Sequence, residues 1–129
     1  MPKVIAKSKK TENQESKFID LIIDSIQDIK GKNIIHLDLT ELKDAPAKHF
    51  IICEGESNTQ IKAIAGNVQR RAKAEALVKY AHIEGTLAAK WVLVDFFDVV
   101  VHVFDKEARF FYDLEELWAD AKQTEYKNI

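Results

Sequence analysis

"WVLVDFFDVVVHVF", residues 91–104, is the stretch on which the fold turns. Apart from Asp95, Asp98 and His102, every residue in it is Val, Phe, Leu or Trp. Such a density of β-branched and aromatic residues reads as two paired strands, with the turn at Asp95–Asp98, although the usual turn glycine is missing. On the second arm Val99, Val101 and Val103 share one face, and Val100, His102 and Phe104 share the other. One face packs on helices. The other carries large apolar groups and a histidine, and is expected to stay uncovered and to hold a partner, because three predicted helices leave a sheet of about five strands incompletely covered.

The flanking sequence supplies those helices. From Ser16, Phe18, Ile22, Ile26 and Ile29 recur at helical spacing, and Gly31 suits the stop. "IIHLDL" (34–39) alternates as a strand with His36 and Asp38 on its wetter side, and "HFIICEG" (49–55) is a second strand after the Asp44-Ala45-Pro46 turn. Ser57 and Gln60 have the spacing of a capping box, which starts a helix running to about Tyr80. A short extended piece ends at Glu84-Gly85. "DLEELWADA" (113–121) reads as a last helix capped by Asp113, with Leu114, Leu117, Trp118 and Ala121 on one face. The order α-β-β-α-(β)-β-β-α predicts a single α/β domain: one mixed β-sheet with packed helices. Residues 1–14, with Lys3, Lys7, Lys9 and Lys10, are expected to be a flexible basic tail, residues 15–122 the folded domain, and residues 123–129 a C-terminal tail.

Composition narrows the function. A chain of 129 residues with one cysteine, Cys53, forms no internal disulfide and fits a reducing compartment. It has no signal-like run and no apolar stretch of membrane length, so cytoplasmic residence without membrane contact is the default. The net charge of −2 is divided unevenly: Trp91–Ile129 holds nine acids and four bases, and Met1–Lys90 twelve acids and fifteen bases. An acidic C-terminal third repels nucleic acid and steers toward a basic protein. An RNA module built on Arg70, Arg71, Lys73 and the tail is a lesser alternative, and direct nucleic-acid contact is expected only from the tail.

Chemistry finds little support. No two of His36, His49, His82 and His102 have helical metal-ligand spacing, and there is no Cys-x-x-Cys, so no metal or cofactor is expected. His102 and Asp95 face each other across the hairpin, too few ligands for zinc. Ser57 in "EGESNTQ" lacks the last glycine of a nucleophile elbow and is a helix cap, and Cys53 is a buried small hydrophobe. The runner-up is a small nucleotidyltransferase-like enzyme. It would bind phosphate at the Gly55–Ser57 turn and metal at Asp95 and Asp98, although a spacing of three does not put two carboxylates on one strand face.

One resemblance is specific. Trp91-Val-Leu-Val-Asp95, Asp98-Val-Val-Val-His102-Val-Phe104, Arg109 with Phe111-Tyr112, and Leu114-Glu115-x-Leu117-Trp118-x-Asp120-Ala121 resemble the bacterial ribosomal silencing factors and the related Iojap proteins of organelles. Phe50-Ile51-Ile52, Gly55, Ser57, Ala63-Ile64 and Glu84-Gly85 extend the likeness over roughly residues 15–122. Phe97 departs from it, standing where the family often has glycine. The resemblance implies a nucleotidyltransferase-like fold without catalytic carboxylates, and a non-enzymatic protein that is a homodimer when free. It also implies binding to the large ribosomal subunit through ribosomal protein fourteen, which blocks the small subunit and represses translation when nutrients are short. On that reading Trp91, Phe96, Phe104 and Tyr112 are aromatic anchors, Asp95, Asp98 and Glu115 pair with bases on the ribosomal protein, and His102 donates a hydrogen bond or packs.

Overall fold

The computed structural model describes residues 2–129, with side chains from Gln14 onward. The order is α1 (Pro2–Asp28), β1 (Lys32–Asp38), β2 (His49–Glu54), α2 (Asn58–Ala76), β3 (His82–Glu84), β4 (Trp91–Asp95), β5 (Val99–Phe104), α3 (Lys106–Tyr112), α4 (Leu114–Leu117) and β6 (Lys122–Glu125). The strands form one sheet in the order β3-β4-β5-β2-β1-β6. Among the described residues only β2 and β5 run parallel, and the chain between them contains the long crossover that a parallel pair requires. The α/β class with a mixed sheet and packed helices is as the sequence predicts.

Helix α1 starts at Pro2, not Ser16. Proline suits a first helical position, and neither glycine nor proline follows until Gly31. The expected contacts of Lys3, Lys7, Lys9 and Lys10 fall on side chains outside the described residues. At the far end Lys30, not Gly31, takes the left-handed conformation (φ 62°). Gly31 is required for space instead: a Cβ there would lie 2.3 Å from the Ile26 side chain. Helix α2 begins as predicted, with the Ser57 hydroxyl accepting from the Gln60 N–H at 3.0 Å. Gln60 Oε1 in return accepts from the N–H of Glu56.

Two cores flank the sheet. Under α1 and α2 lie Ile22, Ile26, Ile61, Ile64, Val68 and, from the hairpin, Val92, Val94, Val99, Val101 and Val103. On the opposite face lie Leu37, Phe50, Ile52, Val100, Phe104 and Leu114, with Trp118 packed against them. This second core corrects the expectation of an uncovered face, since all six residues of β5 are buried. The covering elements are α3, α4 and the segment between β1 and β2 with Leu42, Ala45 and Ala47, and α3 escaped prediction because its only buried side chain is Arg109, which leaves no apolar stripe to read.

The C-terminal part differs in two further ways. Asp113 does not cap a helix with its side chain. Its backbone is left-handed (φ 45°), its N–H closes α3 on the Arg109 carbonyl, and α4 lasts four residues, leaving Leu117 exposed. The expected tail at 123–129 instead contains β6, paired antiparallel with β1, and Tyr126 donates its N–H to the Ile34 carbonyl at 2.9 Å. All four β6 residues are exposed, so no alternation marked the strand.

Candidate functional site

Strands β4 and β5 bring Trp91 opposite Phe104 at one end of the hairpin. The half-buried indole stacks on Phe104 with centroids 5.0 Å apart, and Tyr112 from α3 lies 4.6 Å away on the same cluster. Trp91 Nε1–H donates to His102 Nδ1 at 3.1 Å. A neutral His102 with Nδ1 as acceptor carries its proton on Nε2, and that atom is buried without a partner among the described residues. Burial pushes the imidazole pKa down to about 4. His102 is therefore a fixed, neutral acceptor that holds the indole from below.

Helix α3 supplies the surface. Asp105 caps it, its carboxylate accepting from the Ala108 N–H at 2.7 Å. Three successive aromatics on a helix turn about 100° apart, so they cannot all face one core. Phe110 (87% exposed), Phe111 (78%) and Tyr112 (49%) all face outward and line an open groove of about 600 Å³ with Lys90, Asp105 and Glu107. Arg109 points inward. Its guanidinium reaches the Asn33 carbonyl at 2.6 Å, Glu54 at 3.2 Å and Glu115 at 3.3 Å, which ties α3 to the ends of β1 and β2. Glu115 is thus engaged by Arg109, and its other oxygen is buried.

The remaining predicted residues lie elsewhere. Asp95 and Asp98 flank the hairpin turn, at the other end of β5 from Phe104 and roughly 17 Å away at ~3.3 Å per residue. Asp95 Oδ1 accepts from the Phe97 N–H at 2.8 Å, and Phe97 holds φ 79°, a left-handed conformation that favours glycine. The Asp98 carbonyl accepts from the N–H groups of Lys48 and His49. Phe96 is buried in the first core, edge-on to Phe18 at 5.3 Å. The structure therefore joins Trp91, His102, Phe104 and Tyr112, separates Asp95 and Asp98 from them, and buries Phe96, His102 and Phe104. Phe110 was missed, though its place in a run of three helical aromatics was the signal.

The alternative chemistries lose their geometry. Gly55 follows β2 at the Phe104 end, its N–H donating to the Phe104 carbonyl, so the Gly55–Ser57 turn and Asp95/Asp98 occupy opposite ends of the sheet. In the cleft beside that turn the four carboxylates of Glu54, Glu56, Asp105 and Glu107 outnumber Lys32 and Lys106 and oppose a phosphate. His102 faces Leu93 across the hairpin, not Asp95. Among the described residues no three His, Cys, Asp or Glu side chains converge as a metal site. Arg71 is held by Asp24, Asp28 and Glu75, which takes the centre out of the basic stripe. Burial raises the Cys53 thiol to about 12, leaving it inert. No helix among the described residues is long and apolar enough to cross a membrane.

Residues 11–129 match the family described as "Ribosomal silencing factor during starvation". The chain belongs to the ribosomal silencing factor family. A ribosomal silencing factor of Halalkalibacterium halodurans is 36% identical over 117 residues, covering 91% of this chain and 97% of the relative. One from Chromobacterium violaceum is 45% identical over 102 residues, covering 79% and 82%. A crystal structure of a Chromobacterium violaceum protein, 43% identical, gives a TM-score of 0.76 over 81% of this chain and 85% of that one. A Bacillus halodurans structure, 32% identical, gives 0.73 over 86% and 99%. Chloroplastic Iojap of Zea mays is 38% identical over 78 residues, 60% of this chain and 33% of that protein. The residues quoted above for the resemblance thus fall on two distant places in this fold: the Trp91–Tyr112 cluster and the Asp95–Asp98 turn.

Proposed function

We propose that this chain binds the large ribosomal subunit, chiefly through ribosomal protein fourteen, and sterically blocks the small subunit, repressing translation in the cytoplasm under nutrient limitation. No chemical step is involved. The observation that carries this reading is the row of exposed aromatics on α3 beside Trp91. Large contiguous apolar patches on a monomer mark interaction sites, and aromatic anchors dominate their energetics. Nine acids against four bases over Trp91–Ile129 suit a basic partner.

The roles within the predicted set divide by burial. Trp91 and Tyr112, joined by Phe110 and Phe111, make contact. His102 and Phe104 set the Trp91 plane from beneath, and Phe96 stabilises the turn. Glu115 orients Arg109 and hence α3. Asp95 and Asp98 lie beyond a Debye length (~8 Å at physiological salt) from the aromatic row, so they guide approach or meet a second part of the subunit. The free chain is a homodimer.

Retention of large subunits and of isolated ribosomal protein fourteen on immobilised chain tests the reading. Loss of one true anchor, worth roughly 2 kcal/mol, lowers affinity about thirtyfold. Phe111→Ala, exposed and therefore folded, is expected to do so. Undiminished retention by Phe111→Ala and Tyr112→Ala together overturns it.

A further inference from the structure

Strand β1 contains one residue more than its pairing with β2 needs. Lys32 pairs with Glu54 and Ile35 with Ile52, three steps on β1 against two on β2, so a bulge lies between them. Within it Asn33 holds a left-handed backbone (φ 52°), which asparagine tolerates better than most residues. A bulge withdraws its extra residue from the ladder and re-aims it. Each polar group of Asn33 meets a different part of the molecule. Its carbonyl accepts from Arg109 Nη1 at 2.6 Å, its side-chain amide donates to Glu54 Oε2 at 3.1 Å, and its N–H donates to Asn128 Oδ1 at 2.8 Å. Glu54 Oε1 accepts from the same Arg109 nitrogen at 3.2 Å, which closes a ring of three residues.

The bond to Asn128 brings in the end of the chain. Three successive residues there are tied to the body. Tyr126 donates its N–H to the Ile34 carbonyl, the Lys127 carbonyl accepts from the Gln27 amide at 3.4 Å, and Asn128 accepts from Asn33. Asn128 also lines the cleft shared with Lys106 and Glu107 at the start of α3. Arg109 is the only buried side chain of α3, and the aromatic row follows it directly.

We propose that Asn33 is a positioning residue for the aromatic row and that residues 126–128 are the strap that steadies it, which rests on the large-subunit reading above. Asn128 holds the bulge, the bulge aims the Asn33 carbonyl, and that carbonyl fixes Arg109 and the facing of α3. The strap sets affinity for the subunit without touching it.

Large-subunit retention and thermal melting of the full chain, read together, test this. Asn33→Val sets a β-branched residue at positive φ and breaks the bulge, whereas Asn33→Gly keeps the backbone and loses only the amide. The first is expected to weaken binding at least about tenfold, the second less than about threefold. Asn128 is exposed, so Asn128→Ala carries the test even if Asn33→Val fails to fold. It is expected to weaken binding about threefold to fivefold with a melting midpoint near that of wild type. Added to Phe111→Ala/Tyr112→Ala it is expected to matter less, since both act through one row, whereas independent losses multiply. Losses that multiply, or wild-type binding by Asn128→Ala, overturn the strap and leave the large-subunit reading standing. Wild-type binding by Phe111→Ala/Tyr112→Ala overturns that reading and the strap with it.

Discussion

The indole N–H of Trp91 donates to Nδ1 of His102 across 3.1 Å, joining a half-buried ring at the surface to one inside the second core. This bond needs a neutral imidazole, and burial enforces neutrality by holding the pKa near 4, against 6.5 for an unburied histidine. As pH falls through 6.5 the unfolded chain gains a proton that the folded chain refuses, so stability drops until the pH nears 4. At ~1.4 kcal/mol per pH unit, His102 costs about 1 kcal/mol or slightly more by pH 5.5. His102→Gln keeps an acceptor for Trp91 and does not titrate. Urea unfolding at pH 7.5 and 5.5 is expected to show the smaller acid loss in the variant. His36, also lowered, chiefly by burial and then by His49, acts with the same sign in both proteins and cancels in the comparison.

Phe104 and Phe110 are both phenylalanines of the signature region, yet one is fully buried and the other almost fully exposed. Phe104→Ala is expected to lose roughly 3–5 kcal/mol of stability. Phe110→Ala should change stability by no more than ~0.5 kcal/mol while weakening large-subunit binding. Denaturation and subunit retention on the same two variants check both halves.

Gly85 sits at φ 87°, and a Cβ there would lie 2.1 Å from the Trp91 carbonyl oxygen. Gly85→Ala must move the β4 backbone at the start of the aromatic cluster. The expected result is a destabilisation of about 2 kcal/mol or more, together with a shifted tryptophan emission maximum.

Arg109 is 7% exposed and binds Glu54, Glu115 and the Asn33 carbonyl. Its removal takes the cationic partner from two carboxylates and leaves Glu54 only the Asn33 amide. Arg109→Met is expected to cost roughly 3–5 kcal/mol, read from the denaturation midpoint, and to loosen α3 with its aromatic row.

Phe97 offers the opposite sign. Glycine relaxes φ 79° at the cost of a more flexible unfolded chain, so Phe97→Gly should raise the stability of the monomer by about 0.5–1 kcal/mol. Thermal melts at concentrations below self-association check it.

Much of this architecture was legible where side chains repeat with the period of their element. The α1 and α2 stripes, the valine alternation of β5 and the Ser57–Gln60 cap announced themselves in that way. What escaped was written in other terms. Helix α3 buries only an arginine, whose partners Asn33 and Glu54 are distant in sequence, so nothing local marks it or the packing of its Tyr112 beside Phe104. Strand β6 is polar throughout and is placed by pairing with β1. The site was half legible for the same reason. Residue type marked Trp91 and Tyr112, but only the fold separates them from Asp95 and Asp98, buries Phe96 and exposes Phe110.

Steric exclusion is the central claim, and subunit joining tests it most directly. Purified large and small subunits are mixed under association conditions with saturating chain, and the particles are separated on a sucrose gradient. Uncoupled subunits, with joining restored by the Phe110→Ala/Phe111→Ala double variant, are the predicted result. Coupling at normal yield with wild-type chain bound to the large subunit would contradict the account.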